Sequence, residues 1–217
     1  MDIEKARFNM IEQQIRPWEV LDLGVLALLG VMKREDFVPD EYLSMAFADL
    51  EVPLPAGQCM LSPKVEARLL QELEVKRDEI VLEIGTGSGY MAALLAHRAR
   101  QVTTLEIQPE LVSLATANLR RADVTNVQVI EADGSKPLPV KGPFDVILLS
   151  GSVSQVPPSL LSQLKVGGRL AAIVGVEPVM TAQLITRVSE ADYRTVILFD
   201  TVAQRLSGFG EPTRFKF

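Results

Sequence analysis

The stretch Val81-Leu82-Glu83-Ile84-Gly85-Thr86-Gly87-Ser88-Gly89-Tyr90 places three glycines between an apolar run and a helix-like segment. The apolar run predicts a buried strand, and the segment that starts at Tyr90 predicts a helix. Glycine permits a tight turn at such a junction and lets a ligand approach the backbone N–H groups at the helix N-terminus. The stretch therefore predicts an α/β fold with a ligand site at the carboxyl end of this strand.

The sequence that follows alternates short β-branched runs with helix-sized segments. Strands spaced in this way predict parallel pairing through helical crossovers, with helices on both faces of the sheet. Gln183–Val188 and Thr195–Val202 are separated by only a short turn, which predicts an antiparallel pair that closes the sheet edge. The other predicted strands are 80–84, 101–106, 127–130, 144–149 and 169–174, and the predicted helices between them are 90–97, 109–121 and 160–164.

The residues before this alternation have a different pattern. Apolar residues recur at three- and four-residue steps over 11–32, which predicts helices. A proline-rich connector, Val52–Gly57, leads to a further predicted helix over 63–73. The chain is thus predicted to form one structural domain, with a three-layer core over 76–217 and a helical N-terminal extension over 1–75.

Three ligand hypotheses compete for the glycine turn: no ligand, a nicotinamide dinucleotide, or S-adenosylmethionine. A dinucleotide site uses G-x-G-x-x-G, whereas this turn is G-x-G-x-G, with Tyr90 where the third glycine should fall. Glu83 would repel a pyrophosphate but suits the positive sulfonium of S-adenosylmethionine. We therefore expect an α/β, three-layer, Rossmann-like methyltransferase fold with S-adenosylmethionine as its cofactor.

Two further acids fall at the same edge of the predicted sheet. Glu106 ends the second strand, where a carboxylate accepts hydrogen bonds from ribose hydroxyls, as it also does in dinucleotide folds. Asp133 follows the third strand and is placed to accept a hydrogen bond from an adenine amino group. Either acid alone is equally well explained as a solvated loop carboxylate, but the ordered set favours a ligand. The predicted cofactor-binding residues are Glu83, Gly85, Thr86, Gly87, Ser88, Glu106, Ile107, Asp133, Gly134 and Ser150.

The residues outside the glycine turn limit the reaction. Methyl transfer from a sulfonium is a displacement in which alignment supplies much of the catalysis. An amine or hydroxyl acceptor must lose a proton, whereas a carboxylate with a pKa near ~4 is already ionised at neutral pH. The only histidine, His97, is predicted at a helix end, and Ser150-Gly151-Ser152 stands where many amino-group methyltransferases have Asn/Asp-Pro-Pro-aromatic. The lack of an evident base favours methylation of a carboxylate.

Composition and charge exclude several classes of protein. Of 217 residues, 47% are apolar and 23% are charged, which excludes disorder as the main state. The formal net charge of −6, without a basic run, predicts no nucleic-acid partner. The single cysteine, Cys59, excludes an internal disulfide. Because the sequence has no cluster of His or Cys residues, no metal site is predicted. The acidic start, 1–7, and the short apolar run 23–32 predict a cytoplasmic protein without a signal peptide or membrane span.

Several segments, in order, resemble the protein-L-isoaspartate O-methyltransferase family. Residues 31–39 resemble its x-x-P-R-E-x-F-V-P, and residues 81–93 resemble its V-L-E-I-G-T-G-S-G-Y-x-x-A. The glycine turn alone indicates only the cofactor, whereas the N-terminal segment in register with it is much more specific. The other similar segments are Ala48-Asp49 with Pro53-Leu54-Pro55, Phe144–Ile147 (F-D-x-I in the family) and Leu164–Leu170 (L-K-x-G-G-R-L).

The resemblance implies an activity and a site for the methyl acceptor. The family methylates the abnormal carboxylate of isoaspartyl residues in aged proteins, so the implied partner is a protein or peptide with such a residue, or a small carboxylate. By resemblance, residues 56–63 form the acceptor loop, with Gln58, Cys59 and Ser62 as candidate catalytic residues. Aligned on the glutamine, the family's threonine is Cys59 here, and its acceptor-contacting serine is Leu61.

The loss of that serine leaves alternatives open. Leu61 has no hydroxyl, and Ser62 either takes over the contact or caps the helix that begins at Pro63, because Ser before Pro is typical of N-caps. The chain is then either an isoaspartyl methyltransferase, a methyltransferase of the same fold with another acceptor, or a cofactor-binding protein without catalysis. Nothing in the sequence sets the oligomeric state.

Overall fold

A sheet of seven strands forms the centre of the protein, whose computed structural model describes residues 2–210. A two-stranded hairpin precedes this sheet in the chain. Residue 1 of the predicted extension and residues 211–217 of the predicted core lie outside the described residues. The strands are β1 (Val52–Pro53), β2 (Cys59–Met60), β3 (Ile80–Ile84), β4 (Gln101–Glu106), β5 (Val127–Glu131), β6 (Phe144–Val153), β7 (Leu164–Val176), β8 (Val179–Arg187) and β9 (Tyr193–Asp200).

The order across the large sheet is β5-β4-β3-β6-β7-β8-β9. Strands β3 to β7 pair in parallel, whereas β8 is antiparallel to both β7 and β9. The predicted mostly parallel sheet with an antiparallel pair at its end is therefore confirmed. Because β3 pairs with β4 and β6 on its two sides, the glycine turn that follows β3 lies at the middle of the sheet's carboxyl edge.

Within residues 2–210, six α-helices and several shorter helical turns surround the sheet. The bounds predicted for the helix over 63–73 and for the helix over 109–121 agree with the structure, since proline at the first helical position marks both starts. The helices are α1 (Ile3–Asn9), α2 (Leu23–Val31), α3 (Pro63–Leu73), α4 (Tyr90–Arg98), α5 (Pro109–Arg121) and α6 (Pro158–Leu161). The shorter turns are Met10–Ile15, Arg16–Trp18, Arg34–Phe37, Asp40–Met45 and Pro55–Gly57.

Two hydrophobic clusters fill the two sides of the sheet. The larger cluster joins Val81, Val102 and Val146 to apolar residues of the helices before β3 and of α4 and α5. The smaller cluster joins the alternate residues Leu82 and Ile147 to α6 and irregular segments. This alternation is the pleat of a strand that is buried on both faces. The N-terminal helices share the larger cluster with the sheet, and the division at residue 75 stays a prediction.

The structure differs from the predicted elements around β6 and β7. Strand β6 continues beyond residue 149 through Ser150, Gly151 and Ser152, because Ser152 pairs with Ile173 on β7. Leu164, predicted to end a helix, instead begins β7 and pairs with Phe144. Polar and glycine residues carry no local strand signal, so pairing with a neighbouring strand decides their conformation here.

Candidate active site

Three glycines turn the chain from β3 into α4. Gly85, Gly87 and Gly89 have φ values of 94°, 54° and 86°, a region that residues with a Cβ enter only with strain. The Gly85 N–H donates to the Leu105 carbonyl on the neighbouring strand at 2.9 Å. A Cβ on Gly85 would lie 2.6 Å from Leu206 Cδ2. The turn therefore has room for backbone but not for a side chain at this point.

Glu83 is fully buried two residues before the glycine turn. Its carboxylate accepts hydrogen bonds from the hydroxyls of Thr104 at 2.7 Å and Ser150 at 2.6 Å. Burial raises the pKa of Glu83 to about 7; these hydroxyls oppose the effect, and two nearby carboxylates add to it. Within residues 2–210, no Lys, Arg or His side chain forms a salt bridge with this carboxylate, whose hydrogen-bond donors are the two hydroxyls. A buried carboxylate without a cation is costly, so the site fits a ligand that brings a positive charge.

Glu106, at the end of β4, lies beside the glycine turn. One carboxylate oxygen, Oε2, accepts from the Gly87 N–H at 3.0 Å, and Oε1 accepts from the Gln108 N–H at 3.0 Å. Because a carboxylate has about four acceptor positions, these two bonds leave further capacity. The predicted binding of ribose hydroxyls by Glu106 is compatible with this geometry and stays a prediction.

Asp133 lies in the loop that follows β5. Its Oδ1 accepts hydrogen bonds from the backbone N–H and the hydroxyl of Ser135, at 2.9 and 2.6 Å. Gly208 approaches so closely that a Cβ there would lie 2.6 Å from the same oxygen. The next residue, Gly134, packs against Ile84 without room for a side chain. These contacts fix the loop, and the contact of Asp133 with adenine stays a prediction.

Two small cavities flank the glycine turn and share Gly85. We name them the cofactor cavity and the acceptor cavity. The predicted residues that line the cofactor cavity are Gln58, Gly85, Glu106, Ile107 and Gly134. The predicted residues that line the acceptor cavity are Cys59, Gly85, Thr86, Gly87, Ser88 and Ser150. The predicted residues Ser62, Glu83 and Asp133 are not among the residues that line these two cavities.

The acceptor loop, residues 56–63, is fixed by contacts within the β1–β2 hairpin and by one contact from a distant segment. Val52 pairs with Met60, and the Leu54 N–H donates to the Gln58 carbonyl at 2.8 Å. From the far end of the chain, Gln204 Nε2 donates to the Gly57 carbonyl at 2.7 Å. The loop therefore lies between the hairpin and the segment after β9.

Cys59 has a carboxylate partner that the sequence did not indicate. Its Sγ donates to Glu51 Oε2 at 3.3 Å. Burial first, and then Glu51, raises the pKa of Cys59 to about 12. A thiol with this pKa keeps its proton at neutral pH, so Cys59 is not an activated nucleophile. The carboxylate beside it stabilises the thiol rather than the thiolate.

Ser62 occupies the N-cap position of α3, but its side chain makes no cap hydrogen bond within the described structure. The predicted position is confirmed, and the predicted capping bond is wrong, because the Ser62 backbone carbonyl alone accepts from Val65 and Glu66. The hydroxyl of Ser62 is consequently not committed to the helix.

Replacement of Ser62 by Ala tests what this hydroxyl does. We expect the free energy of unfolding to change by less than about 0.5 kcal/mol, because no cap bond is lost. If Ser62 replaces the missing serine, the KM for an acceptor peptide should rise about tenfold, as one hydrogen bond to a charged group is lost. Denaturant unfolding and steady-state kinetics give the two values, and an unchanged KM would remove Ser62 from the site.

Among the residues at the site that were not predicted are Arg34, Glu66, Gln204 and Leu206. Arg34 and Glu66 form a buried ion pair beside the acceptor loop, while the other two come from the irregular segment after β9. Only Arg34 had a signal in the sequence, since it lies in the 31–39 segment that resembles the family. The others lie far from the glycine turn in sequence, where no local pattern marks them.

The described residues include neither a cluster of metal-ligating side chains nor a helix suited to span a membrane. Within residues 2–210, no three His, Cys, Asp or Glu side chains form a group that would hold a metal ion. In the same part of the chain, no helix has both the length and the apolar character that a bilayer span needs.

The fold and the site together define a class of protein. The sheet order, the glycine turn after β3 and the buried Glu83 are those of the S-adenosylmethionine-dependent methyltransferases, and this chain is one of them. The dinucleotide hypothesis for the turn is not retained. The chain belongs to the protein-L-isoaspartate O-methyltransferase family, because residues 6–203 match the family described as "Protein-L-isoaspartate(D-aspartate) O-methyltransferase (PCMT)".

Individual relatives agree with this family. A protein-L-isoaspartate O-methyltransferase of Koribacter versatilis is 41% identical over 181 residues, which cover 83% of this chain and 81% of the relative. One from Pyrococcus abyssi is 41% identical over 176 residues, covering 81% and 82%. Among solved structures, one described as a Plasmodium falciparum protein-L-isoaspartate O-methyltransferase in complex with S-adenosyl-L-homocysteine has a TM-score of 0.77 at 20% identity, covering 94% and 97% of the two chains. At that identity, the structure supports the fold alone.

Proposed function

We propose that this chain transfers a methyl group from S-adenosylmethionine to the free carboxylate of an isoaspartyl residue in a protein or peptide. The observation that carries the proposal is the meeting of two cavities at Gly85, both of which are lined by residues of the glycine turn and of the acceptor loop. The chain's family gives the reaction, and the adjacency of the two cavities supports a reaction site at the glycine turn.

The residues of the turn fit the cofactor. When bound, S-adenosylmethionine supplies a methyl group activated by a positive sulfur. We assign Glu83 to complement the positive charge, Gly85 and Gly87 to admit close backbone approach, and Glu106 and Asp133 to the ribose and adenine. The remaining residues of this proposed set are Thr86, Ser88, Ile107, Gly134 and Ser150.

The acceptor needs no base from the protein. An isoaspartyl carboxylate is ionised at neutral pH, so one of its oxygens attacks the methyl carbon while the S–C electron pair returns to sulfur. The products are a methyl ester and S-adenosylhomocysteine. This agrees with an acceptor cavity in which Cys59 keeps its proton and Glu66 is paired with Arg34. The chain's contribution is alignment, with acceptor contacts from Gln58, Cys59 and Ser62.

A different acceptor on the same fold is the second candidate. Leu61, buried and without a hydroxyl, lies where the family has its acceptor-contacting serine, and Met60 lines the same cavity. These side chains favour a more apolar acceptor, such as a small carboxylate with an aliphatic part. The net charge of −6 supports a protein, peptide or small-molecule acceptor rather than a nucleic acid, and the free thiol of Cys59 supports a cytoplasmic location.

Transfer of labelled methyl tests the proposal. The purified chain is incubated with labelled S-adenosylmethionine and either an isoaspartyl peptide or the matched aspartyl peptide. We expect base-labile label in the isoaspartyl peptide at more than about tenfold over the aspartyl control, because a methyl ester hydrolyses in base. No transfer, with cofactor binding measured in the same preparation, would sink the isoaspartyl assignment and favour the second candidate.

A further inference from the structure

Arg34 is buried to 1% exposure beside the acceptor cavity. Its Nη1 pairs with the Glu66 carboxylate, and its Nη2 donates to the Leu61 carbonyl at 2.8 Å. Its guanidinium carbon also lies 5.2 Å from the centroid of the Tyr90 ring. Leu61, Glu66 and Tyr90 all line the acceptor cavity. One buried cation thus contacts the acceptor loop, α3 and the first residue of α4 from outside the cavity.

The hydrogen bond from Arg34 to Leu61 fixes the part of the loop that is expected to contact the methyl acceptor. Leu61 aligns with the serine that contacts the acceptor in the family, so its backbone sets where that part of the loop lies. The hairpin fixes the loop through Met60, and Gln204 fixes it at Gly57. The bond from Arg34 fixes the remaining stretch, between the hairpin and α3.

Stability alone does not explain an arginine at this place. The desolvation of two charges offsets their attraction, and apolar residues of similar volume are often equally stable in a core. An apolar side chain, however, has no donor for the Leu61 carbonyl. A planar guanidinium binds a carboxylate and a carbonyl at a fixed angle, whereas the point charge of a lysine does not.

We propose that Arg34 is a positioning residue, which holds the acceptor loop at Leu61 against the glycine turn and so sets the place of the methyl acceptor. Glu66 keeps the guanidinium in register by binding its other edge. The inference rests on the proposed function for its kinetic consequence but not for its structural one. Loss of Arg34 is expected to affect the acceptor and to leave the cofactor-binding residues in place.

The test compares two double variants in the full chain. Arg34→Met with Glu66→Met removes the pair beside the loop without leaving a buried charge alone. The matched control, Arg169→Met with Glu79→Met, removes an ion pair in which the arginine also donates to backbone carbonyls, those of Leu73 and Glu74. This control pair lies at the start of β3, the opposite end of that strand from the glycine turn. Arg34→Lys is the conservative variant, with one point donor in place of two.

Hydrogen–deuterium exchange of the amides over 57–62, measured without cofactor or substrate, reports directly on the mobility of the loop. We expect exchange at least about tenfold faster in the Arg34/Glu66 variant, an intermediate rate in Arg34→Lys, and the wild-type rate in the control. With an isoaspartyl peptide, kcat/KM should fall about 30-fold in the Arg34/Glu66 variant, while the Kd of S-adenosylmethionine stays within about twofold.

Two results would overturn the proposal: unchanged exchange over 57–62, or faster exchange with unchanged kcat/KM. If the Arg34/Glu66 variant does not fold, Arg34→Lys tests the proposal, because it keeps the positive charge but lacks the planar guanidinium that binds Glu66 and Leu61 together. Failure of the proposed function is a separate outcome. In that case the wild type transfers no methyl to the isoaspartyl peptide, and the exchange rates still decide whether Arg34 holds the loop.

Discussion

Replacement of Glu83 by Gln is expected to weaken S-adenosylmethionine binding about 100-fold and to stabilise the cofactor-free protein. The amide keeps hydrogen bonds to Thr104 and Ser150 but brings no charge to the cationic cofactor. Loss of a charge-assisted contact of ~2–3 kcal/mol gives this change in Kd. The gain in stability follows because the buried carboxylate is costly without its ligand.

In the wild type, the raised pKa of Glu83 makes folding stability and cofactor affinity change with pH in opposite directions. The pKa of Glu83 is about 7 in the fold against an ordinary value of 4.5, so the folded protein holds this proton to higher pH than the unfolded chain. Folding stability from this group is therefore present below pH 4.5 and is lost as pH rises towards 7, by ~3 kcal/mol. Cofactor affinity has the opposite trend, because a cation binds the ionised form and must displace the proton below pH 7.

Calorimetric titrations between pH 5.5 and pH 8 test both trends. In the wild type, affinity should fall up to about tenfold for each unit below pH 7, with proton release on binding, whereas Glu83→Gln should show neither. Glu131→Gln, at the end of β5 and exposed, is the matched control and should behave as the wild type. A wild-type affinity that is flat across this range would contradict the placement of a positive group beside Glu83.

Gly85→Ala is expected to abolish measurable cofactor binding, a loss of more than about 100-fold. The residue has a φ of 94°, and its new Cβ would meet Leu206 at 2.6 Å. Either the turn moves or Leu206 is displaced, and in both cases a methyl group occupies the surface that the cofactor should contact. Strain of this kind also costs roughly 1–3 kcal/mol of folding stability.

Gly167→Ala is the control that separates the effect of backbone strain from the effect of a methyl group at the cofactor surface. Gly167 has a φ of 85°, close to that of Gly85, but a Cβ there would have nothing within 4 Å. We expect a similar backbone penalty of roughly 1–2 kcal/mol and no change in cofactor Kd. Thermal unfolding and calorimetry on both variants give the comparison. Normal cofactor binding by Gly85→Ala would show that the turn is not the contact surface.

The parts of the fold that follow local rules were predictable from the sequence. The strand over 101–106 and the helix over 109–121 have their predicted bounds, because apolar alternation and a proline at the first helical position are local signals. The glycine turn was predictable for the same reason, since positive φ at three positions demands glycine. The parallel pairing of the strands followed from the alternation of strands and helices.

The parts of the site that depend on distant pairing were not predictable. Ser150 and Ser152 extend β6 only because β7 lies beside them. The proton of Cys59 is held by Glu51, eight residues earlier in the chain and across the hairpin. Arg34 and Glu66 are separated by 32 positions, and their burial depends on how the N-terminal helices pack. No local sequence pattern marks these pairs, so only the folded chain reveals them.

The segment after β9 joins the acceptor loop to the glycine turn, so the site is assembled late during synthesis of the chain. Gln204 meets Gly57 across 147 positions, and Leu206 covers both Gly85 and Gly151. A ribosome-bound fragment that stops before residue 201 contains the glycine turn and the acceptor loop but not the residues that join them. Contacts of such long sequence separation also form late in folding. The nascent chain is therefore without its assembled site until the segment after β9 has been made and has left the ribosome.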